Sequence, residues 1–249
     1  MKKTTTTYPS EEVTLPSKGL LYPEGSPLRK GVIEMKYMTA KEEDLLTNPN
    51  LIENGTVIDK LLESLILTPI DFNTLLTGDK NAILVAARVL GYGKDYTFEY
   101  RGEEINIDLT TVEDKLLDES LITEGKNEFN FTLPTSKVDI TFKFLTHADE
   151  RKIDNELKGL KKLNKNRETS VTTRMKHIIT SIDGEYEQKT IREFVDNNFL
   201  AIDARELRTY IEKIQPSVDL SYEYEDQRGN ITTIDIPVGI QFFWPDASL

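Results

Sequence analysis

Two separate stretches of this chain carry one pattern, and that recurrence limits what the chain can fold into. Met35-Lys-Tyr-Met-Thr-Ala-Lys-Glu-Glu43 aligns with Phe142-Lys-Phe-Leu-Thr-His-Ala-Asp-Glu150, apolar on apolar, Lys36 on Lys143 and Thr39 on Thr146. A Leu-Pro pair precedes each, at 15–16 and 133–134. Further along, "TGDKNAILVAARVL" (77–90) resembles "AIDARELRTYIEKI" (201–214), with Asp79 and Asp203 expected to cap their helices. Each helix leads into a predicted hairpin, "YTFEYRGEEINIDL" (96–109) and "SYEYEDQRGNITTIDIPV" (221–238), turned at Arg101-Gly102 and Arg228-Gly229-Asn230. The wider spacing of the second set places an insertion there, at "NELKGLKKLNKNRETSV" (155–171). The expected fold class is therefore α+β: two related strand–helix–hairpin subdomains from an internal duplication, at 13–129 and 130–249, with a helical insertion in the second. The alternative is that an α+β chain repeats the order strand, helix, hairpin by chance.

Local signals fill in this frame. Residues 1–12 are polar, Thr-rich and aperiodic, which predicts a flexible N-terminal arm. "LPSKGLLYPEGSP" (15–27) is held in turns and extended backbone by its Pro and Gly residues. Thr39 followed by Glu42 has the spacing of a capping box, in which the hydroxyl and the carboxylate satisfy each other's helix-end donors. Ile58, Leu61, Leu62 and Leu65 form a one-sided apolar stripe. Helices are predicted at 40–48, 56–67, 71–77, 79–90, 112–122, 147–165, 168–182, 188–197 and 203–214, with Gly91 and Gly93 as the stop after the fourth.

The net charge is −12 over 249 residues. A chain that binds phosphates needs an excess of Lys and Arg on some face, so this balance argues against a protein-wide nucleic-acid footprint. It permits a basic protein partner. With no cysteine there is no disulfide, thiolate nucleophile or Cys-based zinc site. The two lysines of "MKKTTTTYPS" are not followed by an apolar segment, as a secretory signal would require. The longest apolar run, Ala82 to Val89, is interrupted by Arg88 and far too short for a membrane span of about 20 residues. The expected location is a cytoplasm, with no membrane partner.

Chemistry-bearing patterns are scarce. His147 and His177 each lie in a predicted helix without a second ligand one turn away, so no metal or other cofactor is expected. Neither G-x-S-x-G nor a phosphate-binding glycine loop occurs, and no catalytic residue is assigned. The carboxylate clusters Glu42-Glu43-Asp44, Glu103-Glu104 and Asp183-Gly-Glu185-Tyr-Glu187 fall where helix ends and turns meet solvent. Lys158, Lys161, Lys162, Lys165 and Arg167 form the one local basic patch. No aromatic residues interleave it to stack bases, which favours a solvated arm or a docking face for an acidic partner.

Apolar residues also cluster at two turns, Leu20-Leu21-Tyr22-Pro23 and Phe242-Phe243-Trp244-Pro245. The second group follows the last predicted strand directly, and Pro245 stops further structure. These rings either close the chain's own core or are kept for a partner. Strand alternation would turn Phe242 and Trp244 inward and Phe243 outward. Aromatic residues dominate interface hot spots, so Leu20, Leu21, Tyr22, Phe242, Phe243 and Trp244 are candidate partner anchors. Lys158, Lys161, Lys162 and Lys165 are electrostatic candidates.

Taken in order, "LPSKGLLYPEG" (15–25), "MTAKEEDLL" (38–46), "IDKLLESLI" (58–66), "LLTGDKNAILVAARVLGYG" (75–93), "VDITFKFLTHADE" (138–150) and "FFWPDA" (242–247) resemble the baseplate protein family of contractile-tailed, T4-like bacteriophages. The resemblance spans about 15–247. Members of that family are described as baseplate hub subunits or hub assembly factors, and the chain length suits an assembly factor. The family also implies Cys-x-x-Cys pairs in the hairpins, as in a zinc ribbon. Here those places read "FEYRGEEINID" and "YEYEDQRGNIT", so packing and tight turns must hold them without metal.

The resemblance implies a non-enzymatic, chaperone-like assembly factor that binds other phage baseplate hub proteins in the host cytoplasm. A structural hub subunit retained in the virion is the alternative. A nucleic-acid-binding protein acting through Lys158–Arg167 is a third reading.

Overall fold

The computed structural model describes residues 9–115, 117–163, 169–226 and 228–243. It is an α+β protein whose strands form four small antiparallel sheets among the described residues. β1 (Ser10–Thr14) pairs with β2 (Val32–Lys36), Val13 opposite Ile33. Residues 10–12 are thus a strand and not part of a flexible arm; residues 1–8 lie outside the described residues. One short alternation, with Glu11 and Glu12 outward and Val13 toward the core, was too weak to read without its partner strand.

The helices α1 (Ala40–Leu46), α2 (Pro49–Glu53) and α3 (Val57–Leu65) follow. The capping box forms as expected: Thr39 donates from its N–H and Oγ1 to Glu42 Oε2 at 3.0 and 2.6 Å. Lys36 Nζ reaches Oε1 of the same carboxylate at 2.8 Å. The predicted helix at 71–77 is only a 3₁₀ turn, Phe72–Thr74, held by the Asp71 side chain. α4 (Thr77–Tyr92) then leads into the hairpin of β3 (Asp95–Tyr100) and β4 (Glu103–Asp108). Its turn uses positive φ at both Arg101 (53°) and Gly102 (82°), which is the backbone of a two-residue hairpin turn.

Among the described residues of 112–122 no α-helix forms. Asp108 and Asp118 each accept a backbone N–H two residues on, making tight 3₁₀ turns at Leu109–Thr111 and Glu119–Leu121. Between them Lys115 N–H bonds Ser217 O and Asp219 N–H bonds Glu113 O, both at 2.8 Å. A long-range pairing has therefore overridden a weak helical pattern.

The second half opens with β5 (Phe129–Thr132) and β6 (Asp139–Phe142), then α5 (His147–Leu163) and α6 (Ser170–Ile178). The predicted helix at 168–182 breaks after Ile178, and β7 (Ile179–Ile182) pairs with β6 to make a three-stranded sheet. The β-branched run Ile178-Ile179-Thr180 favours that extended ending. α7 (Gln188–Asn197), α8 (Ala201–Ile214) and the hairpin of β8 (Ser221–Glu225) and β9 (Ile231–Asp235) complete the chain.

The two halves repeat contacts as well as motifs. Thr146 donates from N–H and Oγ1 to Asp149 Oδ2 at 3.2 and 2.9 Å, and Lys143 Nζ reaches that oxygen at 2.7 Å, matching Lys36, Thr39 and Glu42. Asp79 and Asp203 do not cap their helices; each is the third helical residue, behind Leu76 and Leu200. Each is buried and clamps its own Leu-Pro loop. Asp79 accepts from Ser17 N–H (2.9 Å) and Ser17 Oγ (2.7 Å), and Asp203 from the N–H groups of Thr135 (2.8 Å) and Ser136 (3.0 Å).

The hydrophobic core is continuous across both halves, from Leu15 to Phe243. α4 lies at its centre, where Ile83 and Ala87 are fully buried. Thr77 N–H bonds Leu145 O (3.0 Å) and His147 N–H bonds Leu75 O (2.8 Å), tying the start of α4 to the start of α5. Gly78 faces the Pro216 carbonyl so closely that an added Cβ would lie 1.7 Å from its oxygen. Only glycine fits there.

Candidate interaction surface

The apolar residues expected to anchor a partner are largely consumed by the fold. Leu21 and Tyr22 are buried, and Leu20 is half-buried with its carbonyl accepting from Gly125 N–H. The Tyr22 hydroxyl donates to Asp79 Oδ2 at 2.6 Å and accepts the Leu76 N–H at 3.0 Å. Burial and the adjacent carboxylate push that hydroxyl's pKa well above its ordinary value. Phe242 and Phe243 are both fully buried, which corrects the expectation that Phe243 faces outward. They lie in a 3₁₀ turn, Ile240–Phe243, not a strand, so strand alternation does not apply. The two rings meet edge-on at 5.5 Å, and Phe242 packs edge-on against Tyr96 at 4.8 Å. Trp244 lies outside the described residues. Leu21, Tyr22, Phe242 and Phe243 are therefore core residues and not partner anchors.

The basic candidates have the opposite fate. α5 has 17 residues, about 25 Å of helix, but only its first half is embedded. His147, Asp149 and Ile153 are buried and Leu157 is half-buried, whereas Lys161, Lys162 and Leu163 are exposed, Leu163 at 86%. Arg151, Lys158 and Lys162 share the face turned from the core, with Lys161 beside them and Asp154 the carboxylate among them. Lys158, Lys161 and Lys162 enter no ion pair among the described residues. Lys165, like the rest of 164–168, lies outside the described residues. On α6, which packs against α5, Val171 is also exposed.

Residues that carried no sequence signal fix this arm to the body. Arg174 on α6 makes a bidentate pair with Glu150 on α5 at 2.9 and 2.8 Å. Arg192 on α7 makes another with Glu156 on α5 at 2.8 and 3.0 Å. His177 Nε2 approaches the same carboxylate at 3.0 Å. The Arg192 hydrogen bonds hold the Glu156 pKa down at about 2, despite partial burial. Paired carboxylates and guanidiniums on three different helices show no short-range spacing, so only tertiary structure brings them together. The arm is tied to the body at its base, whereas Lys161, Lys162 and Leu163 at its described end are exposed.

One other cluster has chemical character. Lys80 on α4 donates to Asp59 on α3 at 2.5 Å, and His147 lies against both, with Nε2 3.6 Å from Asp59 Oδ2 and Nδ1 3.4 Å from Lys80 Nζ. The Phe72 ring meets the imidazole edge-on at 4.7 Å. His147 is 4% exposed, and burial lowers its pKa, with Lys80 acting in the same direction and Asp59 against it. Lys80 carries only donors, so its approach to Nδ1 favours the neutral tautomer whose proton is on Nε2, the nitrogen facing Asp59. The cluster seals the junction of α3, α4 and α5 and offers a substrate no access to the ring. Among the described residues, no group of three or more His, Asp and Glu is placed to hold a metal ion. No helix among them is long and apolar enough to cross a membrane.

No protein-family model, curated protein or solved structure matches the chain.

Proposed function

We propose that this protein is a non-enzymatic assembly factor for the baseplate hub of a contractile-tailed bacteriophage and works by protein–protein binding in the host cytoplasm. The ordered motifs from 15 to 247 support the family reading. The observation that carries the mode of action is the end of α5, where Lys158, Lys161 and Lys162 enter no ion pair among the described residues and lie near the exposed Leu163. A binding factor needs surface that its own fold leaves open, and the side chains of Leu21, Tyr22, Phe242 and Phe243 are buried instead.

In a chain of net charge −12, cations gathered on one helical arm make the molecule electrically two-sided. Such an arm steers an acidic partner into register and accelerates encounter more than it strengthens the complex. Leu163 and Val171 add a small apolar contact. Binding of this kind is reversible, which suits a factor that holds a hub component until permanent contacts replace it.

The test is affinity purification of the tagged chain from infected cells, with mass spectrometry of the complex and of mature particles. A hub protein in the complex, lost in the Lys158→Glu, Lys161→Glu, Lys162→Glu variant, is the expected result. Stoichiometric amounts of the chain in purified virions would overturn the transient role in favour of a retained hub subunit.

A further inference from the structure

The two hairpins leave a groove between them that neither fills. Its volume is about 740 Å³, and its walls include three consecutive residues of β4, 106–108, and three of β8, 221–223. Side chains of consecutive strand residues point to opposite faces. A cavity touching all three in each strand is therefore lined by strand edges and not by one face of a sheet. Among the described residues β4 pairs only with β3, and β8 only with β9, so each presents one unpaired edge.

The register identifies which backbone groups face the groove. Leu109 N–H bonds Lys94 O at 2.8 Å across the first hairpin. In an antiparallel ladder, hydrogen-bonded pairs alternate with non-bonded ones, so Tyr96/Ile107 and Phe98/Ile105 are bonded pairs. The N–H and C=O of Asn106 then point away from β3. In the second hairpin, Ile236 N–H bonds Leu220 O (2.8 Å) and Asp226 N–H bonds Asn230 O (3.0 Å). Tyr222/Ile234 and Tyr224/Thr232 are therefore the bonded pairs, and the backbone of Glu223 points away from β9. Asn106 and Glu223 thus offer unused ladder groups to one groove.

The surroundings select an occupant. Val112 and the buried Ile236 supply an apolar lining, while Glu113, Asp219 and Glu223 place carboxylates around it. Asp108 is already paired with Lys94 at 2.5 Å. At one end the hairpins touch, the Tyr224 hydroxyl donating to Glu103 at 2.8 Å and its ring meeting Tyr100 edge-on at 5.0 Å. The chain segments 113–115 and 217–219, paired to each other, lead from the two strands beneath.

We propose that this groove takes up an extended, lysine-bearing segment of a partner protein, added as a strand against the edges at Asn106 and Glu223. Main-chain bonds to an open edge give such a complex its affinity, and the alternate side chains give it specificity. Aliphatic side chains of the segment meet Val112 and Ile236, and its lysines meet the carboxylates. The site is distinct from the basic arm and does not depend on the assembly reading.

The probe is a fluorescein-labelled heptapeptide of alternating Lys and Val, titrated with the full chain and followed by anisotropy. Saturable binding is expected, with at least tenfold loss when alternate peptide amides are N-methylated and no binding of the Glu–Val counterpart. Asn106→Pro removes an outward N–H and no β3–β4 bond, and it is expected to weaken binding by a similar factor. Glu223→Lys, on an exposed side chain, carries the same test if Asn106→Pro fails to fold in a thermal melt. Equal affinity for the N-methylated peptide, or no response to either variant, would overturn strand addition at this site. Self-association of the chain alone that Asn106→Pro abolishes would overturn it in favour of a second copy as occupant.

Discussion

Tyr22 and Asp79 share a hydrogen bond of 2.6 Å between a loop and a helix 57 residues apart, with both side chains buried. Asp79 also takes both Ser17 donors, and the Tyr22 oxygen takes the Leu76 N–H at the start of α4. One carboxylate thus fixes the Leu-Pro loop onto the central helix. In the second half Asp203 does the same job with fewer bonds, to Thr135 and Ser136.

Asp79→Ala leaves three buried donors without an acceptor, and each such group costs about 1–3 kcal/mol. We expect a loss of about 4 kcal/mol or more in urea unfolding for Asp79→Ala, and roughly half of that for Asp203→Ala. Equal losses would mean that the side-chain donors of Ser17 and Tyr22 add nothing.

The buried rings at the end of the described chain set a second expectation. Phe→Ala in a packed core costs about 3–5 kcal/mol, so Phe242→Ala and Phe243→Ala each lower the thermal midpoint sharply. Truncation after Gln241 removes both rings and should abolish cooperative unfolding measured by circular dichroism. A truncated chain that melts like the full one would show that these rings are dispensable to the core.

Among the described residues Arg88 is the bulkiest of the fully buried side chains, yet no carboxylate there pairs with it. Its guanidinium donates to the carbonyls of Gly93 (2.7 Å) and Asp95 (2.8 Å) and lies over the rings of Tyr92 and Tyr96. Burial lowers its pKa. It joins the end of α4 to β3, and Arg88→Ala is expected to cost about 3 kcal/mol through lost packing and two orphaned carbonyls. Arg88→Lys should recover only part, because one ammonium lacks the planar fork that spans both acceptors. Full recovery in a urea titration would refute the two-carbonyl role.

His147 gives a pH dependence with a definite sign. Its pKa is depressed in the fold, so below the ordinary value of 6.5 the unfolded chain binds a proton that the native one resists. Its contribution to stability is full above pH 6.5 and is lost as pH falls through the depressed native value. Asp79 acts oppositely, because burial raises its pKa and the native state takes up its proton first. His147→Phe, tested by urea unfolding between pH 7 and 5, should flatten the decline. An unchanged slope would remove His147 as its source.

Much of the fold was legible because it depends on short-range rules. The capping box at Thr39, the apolar stripe of α3 and the Arg101-Gly102 turn each need only neighbours in sequence. The 112–122 segment was misread because its pairing partner lies at 217–219, and the end of α6 because β7 is stabilised by β6. Within the candidate surface, the sequence marked Lys158, Lys161 and Lys162. It gave no sign of Arg174, Arg192 and Glu156, which hold the arm in place.

The sequence by itself determined the α+β class, the recurrence of Lys-x-x-Thr-x-x-acid, and the position of the basic arm. These follow from residue spacing along one element. Tertiary structure decided which apolar residues are spare and which close the core. Phe242, Phe243 and Tyr22 look like partner anchors in a linear reading, but burial is a property of what packs around a ring. Only the arrival of Tyr96, Asp79 and α4 made them interior, and only the separate docking of two hairpins left the edges of β4 and β8 facing one groove.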